Sequence, residues 1–273
     1  YEKLQQETLE QQYVSQVEVL HKAGVLERLR DGSEGIKGID GREYPVPALE
    51  KVLELVQEKY EVLSAKIEQG FAVIHLTPFA TSLGDRKEIS GGNEYSGLMP
   101  AYAKELRRHF KAGTLKLADG TPVTNFNEDD PLWAWDRFNK GDEKGQIVYD
   151  IKAFDADPKI HGGKTKSDIL KESSATPGWR INLIEDLPNI PRSRAGIEIG
   201  GRPQLEAGSS PREYLGFYLD PSEDNEYRNE VGWTPEDWFA YALHRLETTG
   251  QITDDYEGPG SITYLVNSYI PTD

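Results

Sequence analysis

The chain has 273 residues, with 47 Asp and Glu against 31 Lys and Arg and a net charge of −16. It contains no cysteine, which excludes a disulfide scaffold, a thiol nucleophile and any cysteine-ligated zinc or iron–sulfur centre. So acidic a surface repels nucleic acid and anionic membranes, and no apolar run reaches the ~18–20 residues that span a bilayer.

In chain order, residues 1–30 read as helix, with Leu4, Leu9, Tyr13, Val17 and Leu20 near helical spacing. Gly24 breaks it, and "VLERL" restarts a short turn. The glycine-rich "DGSEGIKGIDGREYP" (31–45) reads as loop. Residues 47–69 give the clearest helix, with Leu49, Val52, Leu53, Val56, Tyr60, Leu63 and Ile67 on one stripe and Gly70 as its stop. These helices are expected to pack as a hairpin. "FAVIHLTPF" (71–79) is a buried strand, and residues 100–111 are helix. "LKLADGTPVT" (115–124) turns at Asp119-Gly120, a hairpin dipeptide.

"QIVYDIKAF" (146–154) and "WRINLIE" (179–185) read as strands on either side of a short helix at 165–173. "SPREYLGFYL" (210–219) is a helix with Ser at its N-cap and Pro at its first position. "TPEDWFAYALHRLETTG" (234–250) is the best-marked helix, from Thr234 as N-cap to Gly250 as terminator. "SITYLVNSYI" (261–270) fits strand or helix. Helices and strands mix without βαβ alternation. The expected fold is therefore α+β: an N-terminal helical portion (1–70) packed on a mixed body (71–273), or one continuous domain, with a small, mainly antiparallel or mixed sheet.

"PKIHGGKTKSDILKE" (158–172) holds Gly163, Lys164 and Thr165, the end of a phosphate-binding loop. The loop's first glycine falls on Pro158, which has no N–H to donate and cannot take positive φ. A nucleotide-hydrolysing loop is therefore not expected. An anion site is the reading that survives, because residues 159–212 hold nine Lys and Arg against six acids in a chain otherwise rich in acids. Its candidates are Gly163, Lys164, Thr165 and Lys166, joined by Arg192, Arg194 and Arg202.

"NFNEDDPLWAWD" (125–136) places Asn125, Asn127, Asp129 and Asp136 at positions 1, 3, 5 and 12 of a calcium loop. Asp130 stands where the loop's turn needs glycine, and Asp136 reaches less far than the usual Glu. An acidic turn is the expectation, and no metal or cofactor is expected. The five histidines show no zinc-protease spacing. His75, near a strand end, and Glu185 and Asp186, at another, are the acid–base candidates.

"INLIEDLPNIP", "GGRPQLEAGSSPREYL" and "GWTPEDWFAYALHRLETTGQITDDYEGPG" resemble conserved-hypothetical proteins of candidate-phylum bacteria, over about residues 120–270. No activity attaches to that family, so the resemblance implies a bacterial protein and no catalytic residue. It also implies a longer chain, since the family continues past a point like Ile270 and this sequence begins at Tyr1 rather than Met. A cytoplasmic compartment is expected. Every catalytic template fails at one position or more. The leading expectation is a non-enzymatic binding or interaction module with a protein or small anionic ligand as partner. The alternative is an enzyme acting on a phosphorylated or carboxylated small molecule.

Overall fold

A computed structural model describes residues 2–85, 97–126, 136–185, 196–254 and 262–271. At its centre, β4 (Phe71–Thr77) pairs antiparallel with β7 (Arg180–Glu185), with Ile74 opposite Leu183 and His75 opposite Asn182. These are the two apolar runs that the sequence marks as buried strands.

The other edge of β4 is satisfied by side chains. α1 (Glu2–Lys22) lies along it. The Gln12 carboxamide donates to the Ala72 carbonyl at 3.2 Å and accepts from the Ile74 N–H at 2.8 Å. One turn later, Gln16 donates to the Ile74 carbonyl and accepts from the Leu76 N–H. A carboxamide has a donor and an acceptor set like a peptide group, so two glutamines at i and i+4 replace a third strand. The edge is thereby covered.

α8 (Pro235–Thr249) closes the other side of β4. Its Thr234 N-cap and left-handed Gly250 terminator are the expected ones, and Asp237 completes a capping box. α8 also packs on α4 (Leu98–Lys111), so Tyr102 meets Trp238 and Phe239 edge-on in the main core. That core runs from Val19 and Leu20 of α1 to Leu243 and Leu246 of α8, which joins the N-terminal segment to the body.

The glycine-rich stretch read as loop is an antiparallel sheet of β1 (Glu27–Arg28), β2 (Glu34–Lys37) and β3 (Glu43–Pro45). Gly35 has a packing reason: a Cβ there would lie 2.4 Å from the Tyr44 carbonyl oxygen. The helix expected over 47–69 is two, α2 (Leu49–Glu58) and α3 (Tyr60–Glu68), parted at Lys59. β5 (Val148–Tyr149) is the middle strand of a second small sheet. It lies between β6 (Lys164–Thr165), which follows α5 (Pro158–His161), and β10 (Ser268–Tyr269). α6 (Lys166–Ile169) follows β6 directly, β8 (Glu198–Ile199) and β9 (Arg202–Pro203) form a hairpin, and α7 (Pro211–Leu219) starts on a Ser210 capping box. The named strand pairings are all antiparallel, and the class is α+β. Among the described residues no helix is long and apolar enough to cross a membrane.

Candidate functional site

Among the described residues of the basic window, Lys164, Lys166 and Arg202 each engage different carboxylates of the chain. Pro158 begins the helical turn α5. The Gly163 N–H, which a phosphate would need, donates to His161 Nδ1 at 2.9 Å. Thr165 is the N-cap of α6 and exchanges hydrogen bonds with Asp168. Lys164 is exposed and pairs with Glu172 at 2.5 Å. Arg192, Arg194 and Asp186 lie outside the described residues.

Lys166 points inward, and its side chain is fully buried. Its Nζ lies 2.7 Å from Asp142 Oδ2, 2.8 Å from Glu236 Oε1 and 2.8 Å from the Thr81 carbonyl. Asp142 and Glu236 are fully buried too. Five segments supply this node: the turn after β4, the turn after the 3₁₀ segment Asp136–Phe138, β5, the start of α6 and the first turn of α8. The Tyr149 hydroxyl donates to Glu236 Oε1 at 2.8 Å. The Phe79 ring centroid lies 5.4 Å from Nζ and the Tyr149 ring 6.0 Å. Burial pushes the Lys166 pKa down, but Glu236 and Asp142 more than offset it and hold it above the ordinary lysine range. Burial, reinforced by Glu236, pushes the Tyr149 phenol well up, so it stays a donor. Three buried side-chain atoms around the node have no hydrogen-bond partner: Asp142 Oδ1, Glu236 Oε2 and Thr81 Oγ1.

Arg202 forms a second node. It is 2% exposed and grips Glu230 with two bonds, of 2.7 Å from Nε and 2.6 Å from Nη2, while Nη1 reaches Glu185. Lys66 adds a second cation, 2.6 Å from Glu230. The guanidinium lies 4.9 Å from the Phe71 ring and 5.1 Å from the Tyr227 ring. Burial pushes the Glu185 carboxyl up, partly countered by Arg202. Glu185 is thus a partner of Arg202.

His75 is a structural histidine. It is 3% exposed, its Nε2 donates to the Asp237 carbonyl at 2.8 Å, and its ring stacks on Trp233. Burial pushes its pKa down, so it stays neutral. Of the calcium-loop candidates, Asn125 is exposed and Asp136 starts the 3₁₀ segment, while Asn127 and Asp129 lie outside the described residues. No group of three metal-ligating side chains occurs among the described residues. An open cleft of about 450 Å³ between Arg137, Gln146, Val148 and Ile270 contains none of the candidates.

The surface carries a feature the sequence reading missed. Tyr264, Tyr214, Phe217 and Tyr227 form a chain of ring contacts at centroid distances of 6.2, 6.4 and 5.8 Å. Tyr264 is 50% and Phe217 39% exposed, and Leu219 on the same helix is exposed as well. The chain is braced from behind, because Tyr227 rests on Arg202 and the Tyr214 hydroxyl donates to the Glu206 carbonyl at 2.5 Å. Residues 211–230 carry six acids against two arginines. The signal in the sequence was α7 itself: Tyr214 and Phe217 at i and i+3 share a face, and Leu215 fills the buried one. Compared with known proteins, the chain matches no family model, no curated protein and no solved structure.

Proposed function

We propose that the chain is a binding module. The aromatic strip of α7, Tyr227 and Tyr264 is its contact face, and a protein with a basic, partly apolar surface is its partner. The observation that carries this reading is the braced row of exposed and half-exposed rings, three of them within an acid-rich segment. Tyrosine and phenylalanine supply large contact areas at low entropic cost and are enriched at interfaces. Bracing by Arg202 and Glu206 lowers that cost further. The acids around the strip select a basic partner and speed its approach. The interaction module is preferred to an enzyme acting on an anionic molecule because Lys164, Lys166 and Arg202 each engage carboxylates of the chain itself.

The test is amide-shift mapping by NMR with two synthetic amphipathic peptides, one alternating arginine and leucine, the other glutamate and leucine. The arginine peptide is expected to shift residues 211–231 and 262–264 and to weaken as salt is raised. Replacing both Phe217 and Tyr264 with serine should lower its affinity about tenfold or more without changing the melting temperature. Equal responses to the two peptides, or shifts elsewhere, would remove the proposal. Shifts at residues 163–166 on addition of inorganic phosphate would favour the enzyme.

A further inference from the structure

The Lys166 node has an unusual charge count for a site closed to water: one ammonium faces two carboxylates, and two carboxylate oxygens have no donor. Ions are costly to bury even when paired, and an orphaned carboxylate oxygen adds to that cost. A reaction that removes one ion pair and one orphaned oxygen would relieve both.

The geometry supplies such a reaction. Lys166 Nζ, a nucleophile once it has given up a proton, is held against the Asp142 carboxyl group, with 2.7 Å between Nζ and Oδ2. Glu236, 2.8 Å from the same nitrogen, is placed to carry protons. The Leu83 N–H donates to Asp142 Oδ2 at 3.0 Å and would steady the charge that builds there during attack. The Phe79 and Tyr149 rings flank the nitrogen, and the buried site keeps water from reversing the step.

We propose that Lys166 and Asp142 condense into an intramolecular amide, with Glu236 as the proton carrier. Glu236 takes a proton from the ammonium and passes it to Asp142 Oδ1, and the free amine attacks Cγ of the neutral carboxyl group. The new bond is Nζ–Cγ, and the bond that breaks is Cγ–Oδ1. Oδ1, the oxygen with no donor, leaves as water with two of the three ammonium protons, each passed through Glu236. Oδ2 remains as the amide oxygen on the Leu83 N–H, and Nζ keeps one hydrogen. Glu236 ends as the carboxylate it began as, oriented by the Tyr149 hydroxyl. No oxidant, metal or co-reactant is needed. The product ties the turn after Phe138 to the start of α6 through a covalent bond.

Peptide mapping of the purified full chain tests this. Trypsin cuts after Lys140, Lys144, Lys164 and Lys171 but not at an acylated Lys166. The expected product is a branched peptide in which residues 141–144 are joined to residues 165–171, one water lighter than the two separate pieces. The Glu236→Gln variant should remain folded by circular dichroism and lose the branched peptide. The Asp142→Asn variant should form the same amide by releasing ammonia, and so reach the mass of the linked wild type. Separate peptides from wild-type protein, with cleavage after Lys166, would overturn the proposal whether or not either variant folds. An undiminished branched peptide in folded Glu236→Gln would overturn the role given to Glu236.

Discussion

The Lys166 and Arg202 nodes share a plan, one cation between two carboxylates, and differ in what surrounds it. At Arg202 a second cation, Lys66, brings the charges to balance, and Glu185 is 22% exposed. At Lys166 the three side chains are fully buried, the carboxylates outnumber the cation, and Asp142 Oδ1 and Glu236 Oε2 have no donor. The first node is an ordinary interior ion-pair network. The second is chemically loaded, and only its cation can react, since a guanidinium does not give up its proton in a protein while an amine does.

Truncating the cations should separate the two nodes most widely. Lys166→Ala leaves two buried carboxylates facing each other and is expected to cost about 4 kcal/mol or more. Arg202→Ala leaves Lys66 with Glu230 and solvent near Glu185, so a loss of about 2–3 kcal/mol is expected. Urea unfolding of both variants checks the order, and equal losses would break the comparison.

Two single carboxylates extend it. Asp254 is half-buried with the Thr263 N–H and hydroxyl as donors, and desolvation pushes its pKa up to about 6. A folded pKa above the unfolded one means that stability falls as pH rises from about 4 to about 6. Asp254→Asn should therefore stabilise the chain by about 2 kcal/mol at pH 8 and by nothing at pH 3. Glu247 is the opposite case. Burial would raise its pKa, but Lys22, His109 and Arg108 together hold it at about 2. Its stabilisation is complete above the ordinary Glu pKa near 4.5 and is lost as pH falls toward 2. Glu247→Gln should cost about 1 kcal/mol at pH 7, screened by the exposure of Lys22 and Arg108, and the gap to wild type should close in acid. Thermal melts of both variants across pH check the opposite signs.

Much of the framework was legible in the sequence, because β4, β7, α4, α7 and α8 rest on local signals: apolar runs, caps, and glycine or proline at element ends. The three-stranded sheet over 27–45 was not. Gly35 satisfies a close backbone approach while Gly32 and Gly41 take the positive φ of turns, and a glycine-rich stretch gives the same signal whether it loops or pairs. Gln12 and Gln16 complete an edge of β4, which no periodicity encodes. Lys166 was read as an anion ligand because the preceding glycines drew attention to phosphate. Its spacing to Ile169 and Leu170 places it on their face of the helix, and that was the available sign that it points inward. Its partners, Asp142 and Glu236, are distant in sequence, so the node exists only in the fold.

The most direct test of the contrast between the nodes is the mass of the intact chain, unfolded in guanidinium, beside that of Lys166→Arg. The wild-type chain is expected one water lighter than its sequence and the Lys166→Arg chain at full sequence mass. A wild-type chain at full sequence mass would contradict the Lys166–Asp142 amide and make the Lys166 node a buried ion-pair network like that of Arg202.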